Sequence, residues 1–348
     1  MHSRKIEFDI VECESTFCDP REDFRVAVQK FQVRTDPLTK RTCHISRFGA
    51  IRPQKLPFER YEKSPSAVSC PFCPQMRDRA TPRYADSVVR GGRVARGEAL
   101  LVPNLYPYDV YNPVTIMTRN HVVPLAGLTE SVLRDAFSLS VEFLRTVKLL
   151  DPSLLYHIVV WNYMPPGGLV HPHQQCIVTS CPGNQYAGEL RASESFYHLH
   201  GINYWTGLIE EERETGQRYI AGLSASHWLA PFAPLGVLGD IMGIFPDVFS
   251  IGDFSDAHIG ELVSALLIIF RYYAANDIHS FNASLFFGPA GQKSFSCHLR
   301  ISPRAFLDID DGTGDLNFYQ MLLSEPVSGV FPEDLCKSVK PFFIGEAV

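Results

Sequence analysis

His171-Pro172-His173-Gln174-Gln175 places two imidazoles and a carboxamide at alternate positions. On an extended strand, alternate side chains share a face, so residues 171, 173 and 175 are expected to line one surface. A neutral imidazole can ligate a metal, attack an electrophile or shuttle a proton. A neighbouring amide can hydrogen-bond an oxyanion. The plainer reading is the exposed polar face of an ordinary strand.

Cys70-Pro71-Phe72-Cys73 is the second group with chemical capacity. A C-x-x-C knuckle presents two thiolates to one metal ion, and zinc prefers four tetrahedral sulfur or nitrogen ligands. The sequence has no second C-x-x-C, so histidines must complete the site: His121, with either His171 or His173. A thioredoxin-like redox pair would open a helix after a βαβ strand. This pair lies between irregular segments and reads as metal-binding, with zinc and iron equally compatible with the spacing. The nine cysteines are odd in number and scattered, the pattern of a reducing, cytoplasmic compartment.

The elements that must position these groups occur twice. In the first copy, 98–103 is a strand, 104–113 an aromatic, proline-rich loop and 114–117 a strand. A helix follows over 129–150, capped by Thr129, and then strands over 155–161 and 171–179. The second copy repeats the order: strands over 226–231 and 241–245, a helix over 256–275 capped by Ser255, and strands over 281–287 and 296–302. His171 and His298 fall at comparable places. Residues 30–46 read as a hairpin turning at Asp36-Pro37, whereas 1–30 lack periodicity and read as an irregular arm. The expected class is α+β: two tandem domains, 1–190 and 191–348, each a mainly antiparallel sheet with one long helix.

The composition sets outer bounds. Of 348 residues, 45% are hydrophobic and 20% charged, enough apolar material for a real core. The net charge of -6 speaks against a general nucleic-acid or membrane-surface binder. Neither a signal peptide nor a membrane-spanning run is evident; the longest apolar stretch, 262–270, is of core length.

The ordered motifs resemble the galactose-1-phosphate uridylyltransferase family of the histidine-triad superfamily over roughly residues 30–325. The matching pieces are Arg34-Thr-Asp-Pro-Leu-Thr39, Arg52-Pro53, Cys70-x-x-Cys73, Val102-Pro-Asn104-x-x-Pro107 and His121. Trp161-Asn162, His171-Pro-His173-x-Gln175, Trp205, His227-Trp228 and Tyr319-Gln-Met-Leu322 continue the series. The resemblance implies a nucleotidyltransferase with ping-pong kinetics. His173 would attack the α-phosphorus of a nucleoside diphosphate sugar, and a phosphorylated acceptor would then take the nucleotidyl group. Gln175 would bind the phosphoryl oxygens. Arg52, Asn104, Asn162, Gly167 and Gly168 would serve the nucleotide and phosphates, and Tyr319 and Gln320 the sugar. Cys70, Cys73, His121 and His171 would hold one structural zinc ion. The family also implies a homodimer, with no nucleic-acid or membrane partner.

Four departures qualify the expectation. The segment before the histidines, 162–170, is shorter than the family's and lacks its small hydroxyl or thiol side chain. Arg52 matches the second of two phosphate-side arginines, but Gly49 stands at the first, leaving Arg47 as a substitute. Some relatives carry iron in the second half on a glutamate and three histidines. Only Glu189 and His298 match here, so no second metal is expected and His298 reads as a core or loop residue. Gln320 replaces a sugar-binding glutamate and the nearby lysine is missing. The acceptor is therefore either a sugar 1-phosphate or inorganic phosphate, as in nucleotide-sugar or dinucleoside polyphosphate phosphorylases. Hydrolysis is disfavoured because Gln175 stands where triad hydrolases carry a third histidine. A non-catalytic nucleotide-binding relative is the reading from another class.

Overall fold

The computed structural model describes residues 6–47, 56–165, 169–308, 313–314 and 318–345. Arg52, Gly167 and Gly168 lie outside the described residues. The chain begins with β1 (Asp9–Asp19), β2 (Arg25–Thr35) and β3 (Thr42–Ile45), followed by three short helices, α1 (Phe58–Glu62), α2 (Pro65–Val68) and α3 (Arg77–Ala80). Strands β4 (Val94–Arg96), β5 (Ala99–Pro103) and β6 (Pro113–Ile116) lead to helix α4 (Glu130–Leu150), then β7 (Tyr156–Tyr163) and β8 (His173–Thr179). After helices α5 (Asn184–His200) and α6 (Tyr204–Thr215) come β9 (Tyr219–Gly222), β10 (His227–Leu229), β11 (Ile241–Phe245), helix α7 (Asp256–Ala275), β12 (Phe281–Phe287) and β13 (Cys297–Pro303). The chain closes with β14 (Phe306–Asp308), β15 (Thr313–Gly314), α8 (Phe318–Leu322), β16 (Val327–Ser328) and α9 (Pro332–Phe343).

Ten strands form one sheet in the order β4-β5-β6-β8-β7-β12-β13-β11-β10-β9. Its centre is the antiparallel β7–β12 pair, with Val160 opposite Ser284. Outward from that pair the two sides mirror each other, and α4 and α7 fill the same connection in each. The repeat read from the sequence is therefore the two halves of one α+β sheet. Both helices start at the expected caps: Thr129 accepts from the Val132 amide and Ser255 from the His258 amide, each at 3.4 Å. Helix α7 is long and apolar enough to cross a membrane by length and composition alone. Here its apolar side chains, including Leu262, Leu266 and Ile269, are buried in the main core with α4 residues such as Leu133 and Leu144.

The opposite face is covered unequally. Over the second half, Tyr186, Leu190, Trp205 and Leu208 of α5 and α6 pack with Leu229, Met242 and Ile244. Over the first half, the cysteine knuckle does this instead, placing Phe72 with Val102, Val114 and Ile116.

Two expectations change. Residues 9–35 form a regular β1–β2 ribbon, not an irregular arm. The apolar alternation of Val11, Cys13 and Phe17 against Val33, Phe31 and Ala27 is interrupted by Ser15 opposite Gln29, which hides the period. In addition, β8 starts at His173, so His171 lies just before the strand and not within its alternation.

Close packing at β11 gives a direct test. A Cβ added at Gly243 would lie 2.5–2.7 Å from indole carbons of the buried Trp228. Gly243→Ala is expected to cost about 1–3 kcal/mol, read as a lower urea midpoint at unchanged slope. A wild-type midpoint would show that the indole moves aside freely.

Candidate active site and metal centre

Cys70, Cys73, His121 and His171 converge, with one ligand atom from each lying within 4.8 Å of all the others. His171 Nδ1 is 3.7 Å from Cys70 Sγ and 3.6 Å from Cys73 Sγ, and His121 Nδ1 is 3.5 Å from Cys73 Sγ. Metal–sulfur bonds of about 2.3 Å and metal–nitrogen bonds of about 2.0 Å give tetrahedral edges of roughly 3.5 Å. The four residues therefore fit a four-coordinate metal ion. His171 Nε2 donates to the Thr118 carbonyl at 2.9 Å, which leaves Nδ1 as the lone-pair nitrogen facing the sulfurs. Burial, with Cys70 beside it, pushes the Cys73 thiol up to about 11. Two thiolates at this spot need a cation. Of the two histidines left open by spacing, the cluster takes His171.

His173 opens β8 opposite Ile116. Its Nδ1 donates to the His171 carbonyl at 2.8 Å. Among the described residues its Nε2 meets no hydrogen-bond partner, so the outward nitrogen carries the lone pair. Burial lowers the pKa of this ring, opposed by the bond to His171, and favours the neutral form needed for attack. Phe72 packs between the two sites, its ring 5.3 Å from that of His173 and 6.0 Å from that of His171. Gln175, two residues along β8, shares the His173 face. From Gln175 a row crosses the sheet through Val160 and Ser284 to Arg300.

The other expected residues are more dispersed. Asn162 is exposed on β7 opposite Asn282. Asn104 turns its amide into its own loop, donating to Asn112 Oδ1 at 2.9 Å and accepting from the Tyr106 amide at 3.1 Å. Gln320 donates to the Leu235 carbonyl at 3.3 Å and lines a cleft of about 670 Å³ with Ile177, Ser284 and Arg300. This cleft lies on the sheet face that carries His173 and Gln175. Tyr319 precedes Gln320 but does not line this cleft; its ring lies 5.9 Å from that of His44. Arg47 pairs with Asp334 at 3.1 Å. Sequence reasoning missed Asn112 and Thr118. The one available signal for Asn112 was a loop that both begins and ends with asparagine.

The second half contains the counterpart of His173, not of His171. His298 lies opposite Ile244 as His173 lies opposite Ile116, and its Nδ1 meets the carbonyl of the residue two before it, Ser296, at 3.1 Å. Ser296 and Arg300 then occupy the places of His171 and Gln175. His298 is fully buried, stacked on Trp205 at 4.0 Å between ring centroids, with Glu189 Oε2 3.5 Å from its Nε2. Among the described residues, no third histidine, cysteine or carboxylate joins this pair in a metal-type cluster.

The metal centre and the nucleophile candidate separate by mutation. Cys73→Ser is expected to lose most bound metal and to lower the melting temperature by on the order of 5–10 °C. His173→Ala is expected to keep both. Metal analysis and calorimetry on the two variants decide this, and equal metal content in both would contradict the division of roles.

No family model matches the chain. An uncharacterized protein of Archaeoglobus fulgidus is 29% identical over 313 residues, covering 89% of this chain and 91% of that protein. Among solved structures, an ADP-glucose phosphorylase from Arabidopsis thaliana with bound ADP-glucose superposes with a TM-score of 0.68 at 18% identity, over 90% of this chain and 98% of that one. A GalT-like protein from Arabidopsis thaliana gives 0.67 at 17% identity, over 88% and 98%. A uridylyltransferase gives 0.63 at 19% identity, over 91% and 99%. With the paired half-sheets and the knuckle in place, these likenesses show that the chain has a GalT-like fold.

Proposed function

We propose that the protein is a nucleotidyltransferase that acts on a nucleoside diphosphate sugar through a covalent intermediate on His173. The observation that carries this reading is the His173 ring: Nδ1 is tied to the His171 carbonyl and Nε2 is free of protein partners among the described residues. In the first step the Nε2 lone pair attacks the α-phosphorus. The bond from that phosphorus to the bridging oxygen breaks, and sugar 1-phosphate leaves with the electron pair. In the second step a phosphate oxygen of the acceptor attacks the same phosphorus and the nitrogen–phosphorus bond breaks, restoring the ring.

Gln175 supplies amide donors to the phosphoryl oxygens while charge builds on them. The cleft beyond Gln175 accommodates the sugar end, with Gln320, Ser284 and Asn282 as hydrogen-bonding groups. The metal cluster has a structural role, and its two-sulfur, two-nitrogen donor set favours zinc.

The preferred acceptor is a sugar 1-phosphate. Inorganic phosphate is the second reading. It is supported by the likeness to the ADP-glucose phosphorylase and by Gln320 standing where the transferases use a charged residue.

Intact-protein mass spectrometry after incubation with UDP-, ADP- and GDP-sugars tests the reading. One nucleoside monophosphate adduct is expected, mapped to His173, absent in His173→Ala and discharged by one of the two acceptors. No adduct from any donor in metal-replete protein would overturn it. Gln175→Ala is expected to slow adduct formation by about 100-fold or more, measured in a single turnover.

A further inference from the structure

Asn112 lies at the end of the loop that links β5 to β6 and is only 2% exposed. Its Nδ2 is 2.7 Å from the Cys176 carbonyl, a group that can only accept. Its Oδ1 is 3.3 Å from the Tyr108 backbone amide, which can only donate, and 2.9 Å from Asn104 Nδ2. Two backbone groups of opposite character therefore fix which end of the Asn112 amide is nitrogen. Asn104 is fixed likewise, because its Oδ1 accepts from the Tyr106 backbone amide at 3.1 Å.

This fixed orientation is passed on to Gln175. Asn112 Nδ2 also reaches Gln175 Oε1 at 3.3 Å, and an N–H at that spot can be received only by the oxygen end. Among the described residues, Gln175 Nε2 has no partner. We propose that Asn112 is a positioning residue that holds Gln175 with its N–H groups toward the reacting phosphoryl group. With the amide reversed, a carbonyl oxygen would face the phosphoryl oxygens and repel them. This assignment rests on the proposed transfer at His173, since it gives the orientation of Gln175 a purpose.

The test is a double-mutant cycle on the single-turnover rate of adduct formation at saturating nucleotide sugar. Asn112→Asp keeps the shape but replaces the donor with an acceptor that faces both Gln175 and the Cys176 carbonyl, so Gln175 is expected to reverse and donate to it. The expected loss is about 10- to 100-fold in rate with KM within about threefold, and no further loss on a Gln175→Ala background. Equal losses in both backgrounds would mark Asn112 as merely structural, and no loss in either would exclude the relay. Asn112→Ser takes the place of the aspartate variant if that one unfolds.

Side-chain amide nitrogen–proton spectra give an answer that does not depend on activity. The Gln175 pair, assigned by its loss in Gln175→Ala, is expected to shift in Asn112→Asp, and an unmoved pair would overturn the relay. Absence of any adduct in the wild type would sink the transfer reading, while the spectra would still decide the relay.

Discussion

The hydrogen bond from His173 Nδ1 to the His171 carbonyl is the contact on which the rest of the site depends. At 2.8 Å it orients the ring and selects the tautomer with an available outward nitrogen. The residue that supplies the carbonyl is itself held twice, by the sulfur cluster at Nδ1 and by Thr118 at Nε2. A metal ion in that cluster would fix the backbone that in turn fixes the nucleophile. This explains why metal ligand and nucleophile candidate are two residues apart on a turn into a strand. The knuckle also contributes Phe72, which packs on both rings and ties metal, core and site into one unit.

The two halves of the sheet carry the same device to opposite ends. His298 makes the same backbone bond as His173, opposite an isoleucine in the equivalent strand position. In that half, α5 and α6 cover the face, and Trp205 and Glu189 close over the ring. A fully buried imidazole stacked on an indole serves packing. In the first half the knuckle covers less of the same face, so Gln175 and the cleft beyond it remain reachable. Both rings are buried, but His173 keeps 8% of its surface exposed and His298 none; that residual access, rather than local ring geometry, separates the two histidines.

Much of this was legible in the sequence because it depends on short-range spacing. The order of strands and the two helices follow from hydrophobic period and caps such as Thr129 and Ser255. Cys70-x-x-Cys73 announced half of a ligand set, and alternation placed His173 and Gln175 on one face. What remained hidden depends on pairing between distant segments. The match of His298 with His173 is a matter of register across strands, which spacing alone assigned to His171. The β1–β2 ribbon was obscured because Ser15 and Gln29 interrupt its apolar face. The contact from Asn112 to Gln175 spans 63 positions and is set by one carbonyl and one amide of the backbone, which no side-chain pattern records.

The His171 carbonyl selects the tautomer of His173. Nitrogen-15 spectra of protein labelled at the histidine rings, with His173 assigned by its loss in His173→Ala, test it most directly. One form is expected at neutral pH, protonated at Nδ1 and unprotonated at Nε2. A proton on Nε2, or an even mixture of the two tautomers, would contradict it.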